Sequence, residues 1–387
     1  MPSTQGERRL GLRLNISGFL LGLGTSSILY IIPIFLERLG ASYTEIGLVG
    51  SVRASPYAFL PIAAGYLSER FDKTRLYLLS VIFAAVASAL LYLARTVPEI
   101  AAANLLLGLH MVFYWPIAES IIAEALPESI RWGAYTRFSV AWSSAYFIGP
   151  SFGGLLADLL GIRYSFLAGA LISASAAPII LSMGRLQPSV EKSRRKPQLR
   201  KILTIWPIYL SVFIFTIGLS SLFVLAPSYF SSLGWSMTGI GVLFTVFGVA
   251  RAASYLVMSR SGRLPAVPLL LLATVIQAVS LLLLANGNPF ILALSLLLAG
   301  AVNGVYFTSS FDLLSSSIPG GLKGVAIGFF EAVLGVGFIV GPAASGSAMD
   351  FLGGSRTFQL LAVVALFGAP LGFILRGKTG SEWSGLR

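Results

Sequence analysis

Arg53 stands inside an apolar stretch, and no acidic residue of the first half of the chain lies near its depth. At about 1.5 Å per helical residue it sits about 20 Å from the basic end of that stretch. An arginine so placed can pair with the anionic group of a solute, because its planar fork matches a carboxylate or phosphate. The other reading gives its donors to waters or carbonyls, Val52 being freed by Pro56. Further charges interrupt apolar sequence elsewhere. Glu119 and Arg137 are both expected about two helical turns from one face, close enough to pair. Arg251, Glu331 and, nearer the surface, Asp312 form a second such group. Charges inside a bilayer are costly and point to function by default. Here they read either as two structural ion networks or as a gate with a protonatable carboxylate, for which Glu331 is the deepest candidate. His110 lies close to Tyr114 and Trp115. It is either a neutral histidine hydrogen-bonded within a bundle or a cavity residue that titrates near neutral pH. Asn303 and Tyr306 complete the candidates for a solute cavity.

These residues need a membrane scaffold to position them. The chain has 387 residues, 56% hydrophobic and 11% charged, where a soluble domain carries about 25% charge. A bilayer span needs about 20 predominantly apolar residues. Twelve such segments are read near 13–37, 44–68, 74–95, 99–123, 132–157, 162–184, 202–230, 236–258, 265–286, 289–315, 323–349 and 354–376. No cleavable signal peptide is expected, because the first apolar run is long and lacks a small-residue cleavage site. The net charge of +12 does not imply nucleic acid. Outside the apolar segments, only Arg38, Arg95, Arg163 and Arg356 fall on one side, and every other basic residue falls on the side of the termini. That bias predicts a multi-pass protein of the cell membrane with both termini cytoplasmic. Zero Cys and a single His argue against disulfides, thiolate chemistry and metal sites, and no cofactor is expected. No phosphate-binding G-x-x-x-x-G-K-[ST] occurs, which argues against ATP drive within the chain. The scarcity of catalytic groups argues against an enzyme.

The chain also repeats itself. Pro33, Leu39-Gly40, Thr44 and Ile46-Gly47 return at one constant offset as Pro227, Leu233-Gly234, Thr238 and Ile240-Gly241. Pro127, Gly149-Pro150, Asp158 and Phe166 return at a nearly equal offset as Pro319, Gly341-Pro342, Asp350 and Phe358. Between the halves runs RLQPSVEKSRRKPQLRK, a basic stretch with Pro188 and Pro197 that reads as a linker. The expected organisation is therefore a bundle of six helices at 1–184, a cytoplasmic linker at 185–201 and a second six-helix bundle at 202–387. Duplicated membrane bundles point to a carrier with its solute site between the repeats.

Two motifs sharpen this. The loop after the second segment reads GYLSERFDKTR, with Gly65, Glu69, Arg70, Asp72 and Arg75. Gly65 permits close helix approach, Glu69 can face a helix N-terminus, and Arg70 can pair with acids at helix ends. The fifth segment carries Gly149, Pro150, Gly153 and Gly154, and the eleventh carries Gly341, Pro342 and Gly346 in the same frame. Small residues allow close backbone contact, and proline bends the helix.

With these motifs the chain resembles the major facilitator superfamily over essentially its whole length. The loop is similar to that family's G-x-x-x-D-R-x-G-R-[KR], with Glu69 in place of the usual Asp and Asp72 where Gly is usual. The Gly-Pro run is similar to a G-P-x-x-G-G motif associated with exporters. The resemblance implies an all-α membrane protein of twelve transmembrane helices, two six-helix bundles related by pseudo-twofold symmetry, moving a small solute by alternating access. Exporter-like, proton-coupled transport is the expectation. The alternatives are an importer or symporter of the same fold, or a non-transporting sensor on that scaffold. The fourth segment has Asn104 four residues before Gly108 where many drug-exporting relatives carry an arginine, which weakens transfer of their proton mechanism. The expected partners are an unidentified small molecule and the lipid bilayer, with no nucleic acid and a monomeric chain.

Overall fold

The computed structural model of the chain describes residues 5–186, 205–261, 264–318 and 323–369. The expected linker lies outside these from residue 187 on, as do Pro319, the surroundings of the Lys323 side chain and everything after 369. The described elements are helices: α1 (Gln5–Leu29), α2 (Ile31–Arg38), α3 (Tyr43–Phe59), α4 (Pro61–Ser68), α5 (Lys73–Leu93), α6 (Val97–Ala125), α7 (Glu128–Leu160), α8 (Ile162–Leu181), α9 (Trp206–Ser232), α10 (Met237–Arg260), α11 (Ala266–Leu284), α12 (Pro289–Ser317), α13 (Lys323–Leu352) and α14 (Gly354–Leu366).

Fourteen helices make twelve membrane passes because two passes are broken by proline. Pro33 cannot donate to Leu29 and crowds that carbonyl, so the first pass divides at Tyr30 into α1 and α2. Leu60 precedes Pro61 and is steered from helical angles, which divides the second pass into α3 and α4. Among the described residues nine segments are long and apolar enough to cross a bilayer on composition alone. The second pass misses that mark because its pieces are short. The fifth, α7, is rich in Ser, Gly and charge, and α14 is a shorter apolar helix of 13 residues.

Local signals set the ends. Asp72 caps α5, accepting from the amides of Thr74 at 2.8 Å and Arg75 at 3.4 Å. Thr96 and Glu99 form a capping box at the start of α6. Between α7 and α8 the chain turns at Gly161, φ +102°, and between α13 and α14 at Gly353, φ +79°, a left-handed turn that glycine takes without strain.

The chain falls into two compact units. Over the described residues, the first lies within 1–41, 52–193 and 234–245, the second within 42–51, 194–233 and 246–387. In the first, α1 packs on α7 and α8, and α5 packs on α6 and α8. In the second, α9 packs on α13 and α14, and α11 packs on α12 and α14. The pattern is the same, pass for pass, as the sequence repeat requires. The core of the first unit gathers Leu14, Leu21, Tyr77, Tyr114, Ile121 and Phe138. Outward-facing apolar stripes, such as Val140, Ile148, Leu155 and Leu159 on α7, suit lipid contact.

Candidate functional site

Arg53 lies on α3 one turn before Pro56. Its carbonyl and the Pro56 ring abut Gly108 of α6, where an added Cβ would collide with both. That crossing fixes the height of the arginine. The carbonyl freed by Pro56 is taken by Ser55, whose Oγ donates to Val52 O at 2.8 Å, so Val52 already has a donor. Among the described residues no carboxylate pairs with Arg53. Tyr146 and Tyr30 are the titratable side chains near it among the described residues.

From Tyr146 a ladder of rings runs along α7 and α6. Tyr114 tilts against His110 with centroids 5.4 Å apart, and Trp115 meets Phe138 at 5.6 Å. Trp115 sets its edge to Trp142 at 5.0 Å, and Trp142 packs on Tyr146 at 4.2 Å. Phe138, Trp142 and Tyr146 repeat every fourth residue along one face of α7, opposite the lipid-facing stripe. Gly22 of α1 leaves room for Trp142. Tyr30, at the break between α1 and α2, stacks on Phe244 at 4.0 Å. Trp115, Trp142, Tyr146 and Arg53 are all partly accessible.

The other candidates separate. His110 is buried, and its Nδ1 lies 2.9 Å from the carbonyl of Ser80. A carbonyl only accepts, so Nδ1 carries the proton and the ring serves the core. Tyr114 is also fully buried, donating to Gly18 O at 3.4 Å. Tyr306 is buried, shares a 2.6 Å hydrogen bond with Ser211 and stacks on Phe215 at 3.7 Å. Asn303 is buried with its Oδ1 unpartnered among the described residues.

Glu119 and Arg137 form no ion pair. Arg137 is exposed on the outward side of α7, and Tyr135 donates to the Glu119 carbonyl at 3.0 Å. The ion pair at that end of the unit joins Lys73, which is 3% exposed, to Glu124. Arg251 reaches the hydroxyl of its own-helix neighbour Tyr255 at 3.4 Å; Asp312 is exposed, and Glu331 is half-buried.

In the loop after α4, Glu69 and Arg70 are exposed and the Arg70 guanidinium lies 4.0 Å over the Tyr66 ring. Asp72, Lys73 and Thr74 hold the segment after α8: Lys73 N donates to Leu186 O at 3.0 Å and Thr74 Oγ1 to Gly184 O at 2.6 Å. Gly65 lies within α4 and Arg75 in the first turn of α5.

The Gly-Pro helices each show two working faces. Gly149 and Gly153 meet Ser26 and Ser27 of α1, while Gly154 meets the Met237 carbonyl and the Pro150 carbonyl meets Gly241. In the second unit Gly341 meets Ser220 and Ile217 of α9, Gly346 meets the Tyr43 carbonyl and the Pro342 carbonyl meets Gly47. Hydrogen bonds follow the same duplication. Ser26 donates to Ala145 O at 3.1 Å, and Ser220 donates to Gly337 O at 3.2 Å. Thr245 donates to Phe147 O and Ser51 to Ile339 O, each at 2.6 Å.

The largest feature missed at the sequence level is a pair of aspartate caps. Asp158, at the end of α7, accepts from Met237 N at 3.2 Å, Thr238 N at 2.7 Å and Thr238 Oγ1 at 2.6 Å. Asp350, at the end of α13, accepts from Tyr43 N at 2.9 Å, Thr44 N at 2.8 Å and Thr44 Oγ1 at 2.6 Å. Each carboxylate closes the start of a helix, α10 or α3, where free amides and the helix dipole favour negative charge. The signal was present: Asp158 and Asp350, like Thr238 and Thr44, are matched positions of the repeat.

Twelve passes, duplicated packing and an interior cation define a membrane carrier fold. The family model described as Major Facilitator Superfamily matches residues 14–238 and again 208–385, so the chain belongs to that superfamily. Its sequence is 25% identical over 374 residues to an uncharacterized MFS-type transporter of Methanocaldococcus jannaschii, covering 91% of this chain and 94% of that one. It is 24% identical over 384 residues to the multidrug resistance protein MdtG of Enterobacter lignolyticus, covering 95% and 92%. Its fold is similar to that of the nucleoside transporter NupG, with a TM-score of 0.81 at 15% identity over 95% of this chain and 99% of that one.

Proposed function

We propose that this transporter exports a small solute across the cell membrane, with both termini cytoplasmic, and draws on a proton gradient. The observation that carries the direction is the likeness to a multidrug resistance protein over nearly the full length of both chains. The Gly-Pro run of α7 agrees with it. In this reading the bundles at 1–184 and 202–387, joined by the basic linker at 185–201, move against each other in alternating access. Arg53 with its ring ladder binds the solute. The Asp158 and Asp350 caps close the outer side, and Glu69 and Arg70 close the inner side in the opposite state. Glu331, a half-buried carboxylate on α13, is the group that takes up and releases the proton. Its charge is costly in the membrane interior, and that cost changes as the surroundings open and close.

The test is transport in proteoliposomes of a solute found by ligand-induced thermal shift. An imposed proton gradient should drive accumulation in the wild type. Glu331→Gln should remove that accumulation and leave passive exchange at its normal rate. Full accumulation in Glu331→Gln would end the assignment of coupling to this residue, and wild-type transport indifferent to the gradient would end proton coupling itself.

A further inference from the structure

We infer that the solute of this transporter is a planar aromatic organic anion, an inference that rests on the transporter reading above. Two features at one place carry it. The first is a cation that no carboxylate among the described residues pairs with: Arg53, held against Gly108 of α6 through its own carbonyl and Pro56, with Tyr146 and Tyr30 the titratable side chains near it. The backbone carbonyl freed beside it, Val52 O, already accepts from Ser55. Holding an unneutralised guanidinium in a membrane interior is costly, and an anionic group that enters with the solute removes that cost by a bidentate pair.

The second feature is the wall beside the cation. Trp115, Trp142 and Tyr146 form a run of rings at 5.0 Å and 4.2 Å spacing that remains partly accessible. It faces away from the lipid-facing stripe of α7, so lipid contact does not account for its exposure. A saturated wall of Leu or Ile would serve any apolar solute equally. Indole and phenol faces favour a flat ring that packs offset or edge-on. The combination selects a molecule with its negative group at one end and a ring system extending from it. A neutral ring leaves Arg53 unpaired, and a saturated anion leaves the ladder without ring packing.

The experiment measures binding of three radiolabelled probes to the purified full chain by equilibrium dialysis. These are 2-naphthoate, its neutral isostere 2-naphthamide and the saturated anion cyclohexanecarboxylate. The expected result is a Kd for 2-naphthoate at least tenfold below those of the other two. Arg53→Gln should erase the preference for acid over amide, and Arg53→Lys should keep it at several-fold weaker affinity. Trp142→Leu should erase the preference for the ring over the saturated anion and spare the preference for acid. Equal binding of the three probes, or wild-type preferences in variants that keep the wild-type melting temperature, overturns the inference. Counterflow in proteoliposomes separates it from the underlying reading. Selective binding of 2-naphthoate without counterflow supports the site and sinks the transporter reading. Robust counterflow of a neutral saturated solute, unaffected by Arg53→Gln, sinks the aromatic-anion class and leaves the transporter reading standing.

Discussion

A carboxylate that accepts from two backbone amides and a hydroxyl is a strong helix cap, because every donor it satisfies would otherwise end unpaired. Asp158 and Asp350 each do this. Replacing either with Ala should lower stability by about 0.5–2 kcal/mol, the range for loss of a cap, and Asp→Asn should cost less because one acceptor remains. The two sites belong to separate units and share no partner, so the double Ala variant should lose the sum. Thermal unfolding of the purified single and double variants checks this; a double variant no less stable than the singles would contradict independent caps. At this scale the sequence was only half legible. The cap residues stood in matched positions of the repeat, but nothing local says that a C-terminal aspartate reaches a helix start about eighty or three hundred residues away. Lys73 read as a plain topology charge, and only the fold brings it to Glu124. His110 was open to a structural and a cavity reading and Tyr114 stood among the cavity candidates; both are buried, partnered by the carbonyls of Ser80 and Gly18.

The helices meet where glycine permits backbone to touch backbone. Cβ atoms added at Gly154 and Gly346 would fall on the carbonyls of Met237 and Tyr43, while one added at Gly328 would meet nothing among the described residues. The three positions therefore discriminate packing from propensity. Gly154→Ala and Gly346→Ala should each cost about 1–3 kcal/mol, since the collision is with backbone and not with a side chain that can turn away. Gly328→Ala should be neutral or stabilising by up to about 1 kcal/mol, because alanine replaces glycine in an exposed helix at no steric expense. Melting temperatures of the three variants in one detergent decide it, and equal losses at all three would show that close approach is not what these glycines provide. The Gly-Pro runs were visible as motifs, and their small residues did announce close contact. Their second face was not visible, because Gly154 and Pro150 serve α10 while Gly149 and Gly153 serve α1, and a single motif gives no hint of two partners. The proline breaks were not read from the sequence: Pro33 and Pro61 accompany breaks at Tyr30 and Leu60, while Pro227, the repeat mate of Pro33, lies inside an unbroken α9, so a proline alone does not say whether a pass divides.

For the molecule as a whole, duplication was the legible feature, and its consequence is that the capped helix starts come as a matched pair. The caps join ends that lie far apart in the chain, α7 to α10 and α13 to α3. If alternating access requires those ends to part, holding them together must stop transport. The chain offers a clean way to hold them, since it contains no cysteine and any disulfide formed is the engineered one. The Thr238 hydroxyl lies 2.6 Å from the Asp158 carboxylate, and the Thr44 hydroxyl stands at the same distance from Asp350. Side chains that close should let a cysteine pair reach disulfide geometry with little backbone movement. Asp158→Cys with Thr238→Cys, or Asp350→Cys with Thr44→Cys, should cross-link on mild oxidation. Solute exchange in proteoliposomes should then fall to background and return on reduction. Each single cysteine variant should show the same exchange before and after oxidation, which separates the lock from the loss of the cap. Full exchange in a quantitatively cross-linked protein would show that these ends stay together through the cycle, and the aspartates would then be structural caps and not latches.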